Sequence, residues 1–310
     1  GSGRRAGIRR SGDAPSLIQE HILELMLRGI SKSFDGAPVL QRITLDLREG
    51  VVAILGPNGA GKTTLMRILA TVLAPDEGTL QVNGRGGEAA LAAIRSQVGY
   101  LPQSLELPQH LTPRGLLRYV ASLRLSGIRE ETAMRLLAGV GLESMADRPL
   151  AQLSDGQRRL AAVAQAFLGW PKLVLLDEFS AGLDVAEKEA VFRLIHQVEP
   201  AALVVITSNL PAEVEKIARQ LIVLRDGVIQ FTGTTAELVR QAQGRAWEGR
   251  LPVNEANSTM ERYRLSRVRQ ADDGVTLRIV GTEPDLVGAW PVEPTLEDAY
   301  LLLMGNAIKH

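Results

Sequence analysis

From Glu24 to Leu47 apolar and polar positions alternate. Leu25 and Leu27 precede a polar Asp35-Gly36 turn, and Ile43, Leu45 and Leu47 follow it. A period of two predicts paired antiparallel strands. The pattern then changes to a continuous apolar run, Val51, Val52, Ala53, Ile54 and Leu55, as in a strand buried on both faces. A helical pattern begins near Thr64, reaches about Leu73 and stops before Pro75. Between Pro102 and Pro149 the apolar positions take helical spacing (Leu116, Leu117, Val120 and Leu123, then Leu136, Leu137 and Val140), which predicts a helical insertion over about 104–152. Leu173 to Leu176 and Leu203 to Ile206 read as buried strands, each preceded by helical pattern, as repeated βα units around a parallel sheet require. Leu221 to Leu224 and Val228 to Phe231 flank Arg225-Asp226-Gly227, a hairpin, and Thr234 with Glu237 forms a capping box for a helix ending near Gly244.

The expected fold class is α/β and doubly wound, with an antiparallel β subdomain and a helical insertion, spanning 23–244. Residues 245–310 are expected to form a small C-terminal α+β unit, with an alternating strand (Val275, Leu277, Ile279) and a final helix from Leu296 to Met304. Residues 1–22 read as a flexible basic extension carrying Arg4, Arg5, Arg9 and Arg10; its Gly-Ser-Gly start has the look of a cloning scar, and the arginines could also touch anionic lipid.

Composition narrows the chemistry. At 45% hydrophobic and 23% charged residues the 310-residue chain is an ordinary globular one, and 35 basic residues against 35 acidic ones argue against a nucleic-acid surface. Absence of cysteine excludes disulfides, thiolate metal sites and cysteine nucleophiles. His21, His110, His196 and His310 lie far apart, without metal-ligand spacing. No apolar stretch reaches the ~18 residues needed to span a bilayer, so a membrane role has to come through a partner.

Between the apolar run and the first helix stand Gly56, Pro57, Asn58, Gly59, Ala60, Gly61, Lys62 and Thr63, followed by Thr64: a full GxxxxGK[ST] phosphate loop between strand and helix. Its backbone N–H groups and the helix N-terminus would hold the phosphates of ATP, Lys62 would neutralise charge, and the Thr63 hydroxyl would hold Mg²⁺. Farther on, Leu173-Val174-Leu175-Leu176 ends in Asp177-Glu178, which puts two carboxylates at the C-terminal end of a buried strand, where ligands of open α/β sheets bind. Asp177 is the candidate to position Mg²⁺, and Glu178 the candidate general base for the attacking water. A third element, Leu153-Ser154-Asp155-Gly156-Gln157, offers a serine hydroxyl and glycine N–H at a helix start.

The order GPNGAGKTT, Gln103 in Tyr100-Leu101-Pro102-Gln103, LSDGQRR, LVLLDE and Ser180-Ala181-Gly182-Leu183-Asp184 resembles the ATP-binding-cassette (ABC) ATPases, from Leu23 to about Gln243. The resemblance implies a P-loop NTPase of ABC type working as a homodimer or hetero-pair. ATP is sandwiched between one subunit's phosphate loop and Ser154, Gly156 and Gln157 of the other. It also implies that Gln103 links Mg²⁺ and γ-phosphate to a transmembrane permease, that Asp184 lies across the dimer interface, and that Phe34 stacks on adenine; a core aromatic at the end of an edge strand is the other reading of Phe34. Such an ATPase sits in the cytoplasm, peripheral on the inner face of the cell membrane through its permease. The run Val292-Glu293-Pro294-Thr295-Leu296-Glu297-Asp298-Ala299-Tyr300-Leu301 is similar to the tail of the drug-resistance and antibiotic-exporter branch, and also reads as a capped amphipathic packing helix with Leu296, Tyr300 and Leu303 on one side. An importer or lipid-export ATPase would share every core motif.

Two positions depart from the family pattern. Asn209 stands where the family has a histidine after Leu203 to Ile206; an amide donates a hydrogen bond but cannot become cationic, which predicts slow hydrolysis with near-normal ATP binding. The other readings are an asparagine that substitutes adequately and a switch built to hold ATP longer. Asp155 replaces a glycine and is expected to point away from phosphate and cap its own helix.

Overall fold

A computed structural model of the chain describes residues 23–104, 106–123, 128–271 and 274–305. The amino-terminal extension, with its arginines and His21, and His310 lie outside the described residues. β1 (Leu25–Phe34) and β2 (Ala37–Leu47) pair antiparallel around Asp35-Gly36, and β3 (Gly50–Leu55) leads through the phosphate loop into α1 (Lys62–Leu69). β4 (Glu77–Val82) returns to the free edge of β1, giving a three-stranded antiparallel sheet β2-β1-β4. α2 (Gly87–Gln97), β5 (Val98–Leu101), α3 (Pro113–Leu123) and α4 (Glu130–Gly139) follow, then α5 (Asp155–Ala166), β6 (Leu173–Leu176), α6 (Val185–Val198), β7 (Leu203–Ser208) and the short α7 (Pro211–Val214). The hairpin β8 (Gln220–Arg225) and β9 (Val228–Gly233) precedes α8 (Thr235–Arg240). The last segment holds β10 (Ala246–Leu251), α9 (Val253–Arg262), β11 (Leu265–Ala271), β12 (Gly274–Val280), β13 (Trp290–Pro291) and α10 (Leu296–Leu303).

The central sheet has the order β5-β6-β7-β3-β8-β9, with the first five strands parallel and β9 antiparallel to β8. Every residue of β3, β6 and β7 is buried, and a strand's period of two divides them between the sheet's faces. Val51, Ala53, Leu55, Val174, Leu176, Val204 and Ile206 join a core with the helical insertion and α5, α6, α8 and α10. Val52, Ile54, Leu173, Leu175, Leu203 and Val205 join a second core with α1, α2 and the three-stranded sheet. Burial of each such side chain is worth about 1.5–3 kcal/mol. A charge placed at Ile54 would therefore be expected to undo the layer.

The C-terminal end of this sheet is where β5, β6, β7 and β3 deliver their loops side by side. Gln103 follows β5, Asp177 and Glu178 follow β6, Asn209 follows β7, and the phosphate loop follows β3. Adjacency of four strands thus gathers residues that lie far apart in sequence.

Three local expectations are corrected. The helix after the phosphate loop ends at Leu69, not near Leu73, because Thr71 takes φ 58° and the chain closes a Schellman cap: the Thr71 and Val72 N–H groups donate to the carbonyls of Ile68 (3.0 Å) and Arg67 (2.9 Å). The helix after Thr234 keeps its capping box but ends at Arg240, several residues before Gly244. Asp155 does not cap α5. Ser154 does, accepting the Gln157 N–H (3.1 Å) while Gln157 Oε1 accepts the Ser154 N–H (3.0 Å).

The last strands form an antiparallel sheet β11-β12-β10-β13 with its own small core of Leu251, Ala256, Val275, Leu277 and Ile279. α10 faces two ways. Leu296, Ala299 and Tyr300 belong to the main core, whereas the fully buried Asp298 pairs with Arg278 of β12 (2.8 Å).

Candidate active site

The phosphate loop owes its path to backbone that only glycine takes easily. Gly61, the residue before α1, has φ 101°, and a Cβ there would lie 2.8 Å from the Val39 carbonyl and from Leu40 Cδ2. The next residue, Lys62, is 4% exposed; its Nζ donates to the carbonyls of Gly56 (2.8 Å) and Pro57 (3.1 Å) and lies 3.6 Å from Glu178 Oε1. Burial pushes the Lys62 ammonium below its ordinary value, and Glu178 partly restores it.

Gln103 spans the site. Its Oε1 accepts from Thr63 Oγ1 (3.0 Å) and its Nε2 donates to Glu178 Oε2 (2.8 Å), so one amide joins phosphate loop and strand end. Asp177 is fully buried. Its Oδ1 accepts from Thr207 Oγ1 (2.6 Å), whereas Oδ2 has no hydrogen-bond partner among the described residues. Burial pushes the Asp177 carboxyl up, against the pull of Thr207, Thr63 and Lys62. A buried carboxylate oxygen without a donor is costly, and a cation removes that cost. The donors at hand, Thr63 Oγ1, Gln103 Oε1 and Asp177 Oδ2, are hard oxygens suited to Mg²⁺ rather than to a soft metal. Among the described residues no three His, Cys, Asp or Glu form a metal cluster.

Two residues that the sequence did not single out hold this arrangement. Thr207, fully buried at the end of β7, donates to Asp177 and accepts the Glu178 N–H (2.8 Å), joining both acids to the neighbouring strand. Glu178 itself has φ 47°, a strained value for a non-glycine residue that persists only when its surroundings fix it. Arg159 supplies much of that fixing. At 9% exposed, its guanidinium donates to the carbonyls of Phe179 (3.0 Å), Gln103 (3.1 Å), Asp177 (3.0 Å) and Glu178. A signal for it existed: Gly156, Arg159, Leu160 and Val163 share one helical face, so Arg159 falls on the apolar side of α5.

Ser154, Gly156 and Gln157 form a second group, at the start of α5. Gly156 is buried against Glu187, whose Oε2 would lie 2.8 Å from any Cβ placed there; Glu187 also closes a capping box with Asp184, the N-cap of α6. The starts of α5 and α6 are therefore in contact. Asp155 points to solvent at 93% exposure and pairs with Arg158. Asn209 is exposed directly after β7. Phe34 ends β1 at 44% exposure with Lys32 Nζ 5.6 Å from its ring centre, so the core reading of this aromatic is set aside.

Comparison with known proteins gives the chain a family. The ABC transporter family pattern matches residues 40–181. The daunorubicin/doxorubicin resistance ATP-binding protein DrrA of Streptomyces peucetius is 32% identical over 80% of this chain and 75% of its own. The spermidine/putrescine import ATP-binding protein PotA of Spiroplasma citri is 34% identical over 73% of this chain and 65% of its own. The probable multidrug ABC transporter ATP-binding protein YbhF of Escherichia coli K12 is 28% identical over 91% of this chain, which spans about half of that relative, 52%. A solved structure of the ATP-binding subunit of an ABC transporter superposes with a TM-score of 0.63 at 27% identity, covering 70% of this chain and 92% of the other. With its phosphate loop, paired acids and strand order, the chain belongs to the ATP-binding-cassette transporter ATPase family.

Proposed function

We propose that this chain binds ATP with Mg²⁺ and hydrolyses it as half of a head-to-tail dimer, driving a separate transmembrane permease that exports its substrate. The observation that carries the reading is the Gln103 amide between Thr63 and Glu178, which ties the phosphate loop to the candidate base. Lys62 neutralises phosphate charge from the loop. Glu178 accepts the proton of the attacking water, and the Asn209 amide donates to the γ-phosphate region. Thr63, Gln103 and Asp177 would hold Mg²⁺, whose chemistry is to neutralise charge on the phosphate oxygens. Ser154, Gly156 and Gln157 act on the ATP held by the opposite subunit, Asp184 meets that subunit, and Phe34 stacks on adenine. In this dimer Asn209 makes the motor slow rather than inactive.

No helix among the described residues is long and apolar enough to cross a membrane. In this proposal the permease supplies the membrane contact, at the inner face of the cell membrane. Export is supported by the reach of the likeness to YbhF, over 91% of the chain, against 73% for PotA. Import is the second reading, favoured by the higher identity to PotA, 34%. The test is ATP turnover by the full chain with and without a magnesium chelator, then with a permease co-expressed. Chelator-sensitive turnover and permease-dependent recovery in membranes support the proposal. Chelator-insensitive turnover, or membrane recovery without any permease, overturns it.

A further inference from the structure

We propose that Glu213 is a positioning residue for ATP hydrolysis, its carboxylate fixing the loop that carries Asn209 to the segment that follows Glu178. Glu213 lies on α7 and its side chain is 11% exposed. Three donors meet it, from the turn after β6, from β7 and from α6. Ser180 Oγ, two residues past Glu178, donates to Oε2 (2.6 Å), and Ser208 Oγ, beside Asn209, donates to the same oxygen (3.0 Å). Lys188 Nζ, from the helix capped by Asp184, donates to Oε1 (2.8 Å).

The arrangement clamps Asn209 through its backbone. Ser208 Oγ also accepts the Leu210 N–H (3.0 Å), closing a turn around Asn209 whose hydroxyl is held by Glu213. A neutral amide has no ionic attraction to Glu178, so its reach depends on where this backbone is held. Burial alone would raise the Glu213 carboxyl, but Lys188, Ser180 and Ser208 together hold it below the ordinary range, so it is the ionised form that accepts all three bonds. A neutral glutamine keeps one acceptor oxygen and turns an NH₂ group toward a donor, so it cannot serve all three.

The inference rests on the hydrolysis proposed above, and the test separates the two. In the full chain, kcat, the Kd for a non-hydrolysable ATP analogue, Tm and amide exchange over residues 178–184 and 207–214 are measured for wild type, Glu213→Gln, Glu213→Asp and Glu213→Gln combined with Ser180→Ala. Glu213→Gln is expected to lower kcat about tenfold, since small displacements at a reacting centre cost that much or more. Analogue Kd and Tm stay close to wild type, exchange rises in both segments, Glu213→Asp recovers part of the loss, and adding Ser180→Ala costs little more. Unchanged exchange in both segments overturns the proposal whether or not the chain turns over. So does a fall in Tm with kcat and Kd lost in parallel, the mark of a merely structural residue. Absence of wild-type turnover beside raised exchange in Glu213→Gln counts against the hydrolysis reading alone.

Discussion

The Gln103 amide donates to Glu178 Oε2 at 2.8 Å, with Lys62 3.6 Å from the other carboxylate oxygen, so the candidate base is held from both sides. Glu178→Gln keeps an oxygen for Gln103 to donate to, but loses the charge and the basic lone pair. It is expected to bind ATP with near-normal affinity and to turn over about 10²–10⁴-fold more slowly, the range of general-base contributions. Single-turnover kinetics beside equilibrium ATP binding measures both, and wild-type turnover in the variant would mean that the proton goes elsewhere.

Arg159 donates to four carbonyls, in Gln103, Asp177, Glu178 and Phe179, and among the described residues to no carboxylate. Lysine cannot reproduce a planar fork with five donors, so Arg159→Lys should behave more like Arg159→Met than like wild type. Both are expected to lose at least about 2 kcal/mol of stability, from buried carbonyls left without a charged donor, and most of their turnover well below Tm. Urea unfolding with ATPase rates at low temperature tests this; full activity in Arg159→Lys would show that charge alone suffices.

Much of this architecture was legible from periodicity and turn chemistry. The strands at Val51, Leu173 and Leu203 carried clear patterns because they are buried along their whole length; those at Leu25 and Val275 did so through buried Leu25 and Leu27 and buried Val275, Leu277 and Ile279, and the hairpin through its Asp226-Gly227 turn. β4 did not: its first three residues, Glu77, Gly78 and Thr79, are exposed, and its pairing with β1 is a long-range contact that no local pattern encodes. The phosphate loop and the acids could be read as motifs, whereas Arg159, Thr207 and Glu213 act through bonds that only the fold creates. An arginine after a signature serine looks like solvated charge until its helical face is known to be buried.

Asn209 should respond to a change of donor strength. Asn209→His offers a group that can be cationic, and turnover is expected to rise, by up to about a hundredfold if the loop already holds the side chain in reach. The variant should also gain a rate inflection near pH about 6.5, since histidine titrates there and asparagine does not. pH–rate profiles of the two proteins decide the matter; identical profiles and rates would mean that the residue does not face the reacting phosphate.

Asp155 is 93% exposed and paired with Arg158, and the cap of α5 is Ser154. Asp155→Asn and Asp155→Ser should therefore bind ATP alike, and Asp155→Lys should not raise affinity markedly. Nucleotide titrations of the three variants test this, and a large gain in Asp155→Lys would show that the side chain does face the phosphates.

A buried carboxylate, Asp298, ties the C-terminal sheet to α10, beside the bond from Arg264 to the Leu301 carbonyl (2.8 Å). Asp298, fully buried, accepts from Arg278 Nε (3.0 Å) and Nη2 (2.8 Å), from the Thr295 N–H (2.7 Å) and from Ser266 Oγ. Burial alone would raise its carboxyl, but Arg278, Ser266 and Thr295 hold it below the ordinary value. A depressed folded-state value means that the stabilisation is fully present above the unfolded carboxyl's pKa of about 3.9 and disappears as pH falls through the lower folded value. Asp298→Asn leaves Arg278 with Glu248 (3.0 Å), at the half-buried rim, as its remaining carboxylate. The expected cost at neutral pH is about 3 kcal/mol, as for breaking one partner out of a buried pair. Because α10 carries Leu296, Ala299 and Tyr300 into the main core, the loss should appear in global unfolding and not only as loosening of the C-terminal sheet. Urea unfolding at pH 7 and across the acid range, wild type against Asp298→Asn, measures it: the gap between the two proteins should narrow below about pH 4, and a gap that stays constant with pH would mean that the ionised carboxylate is not what holds the two parts together.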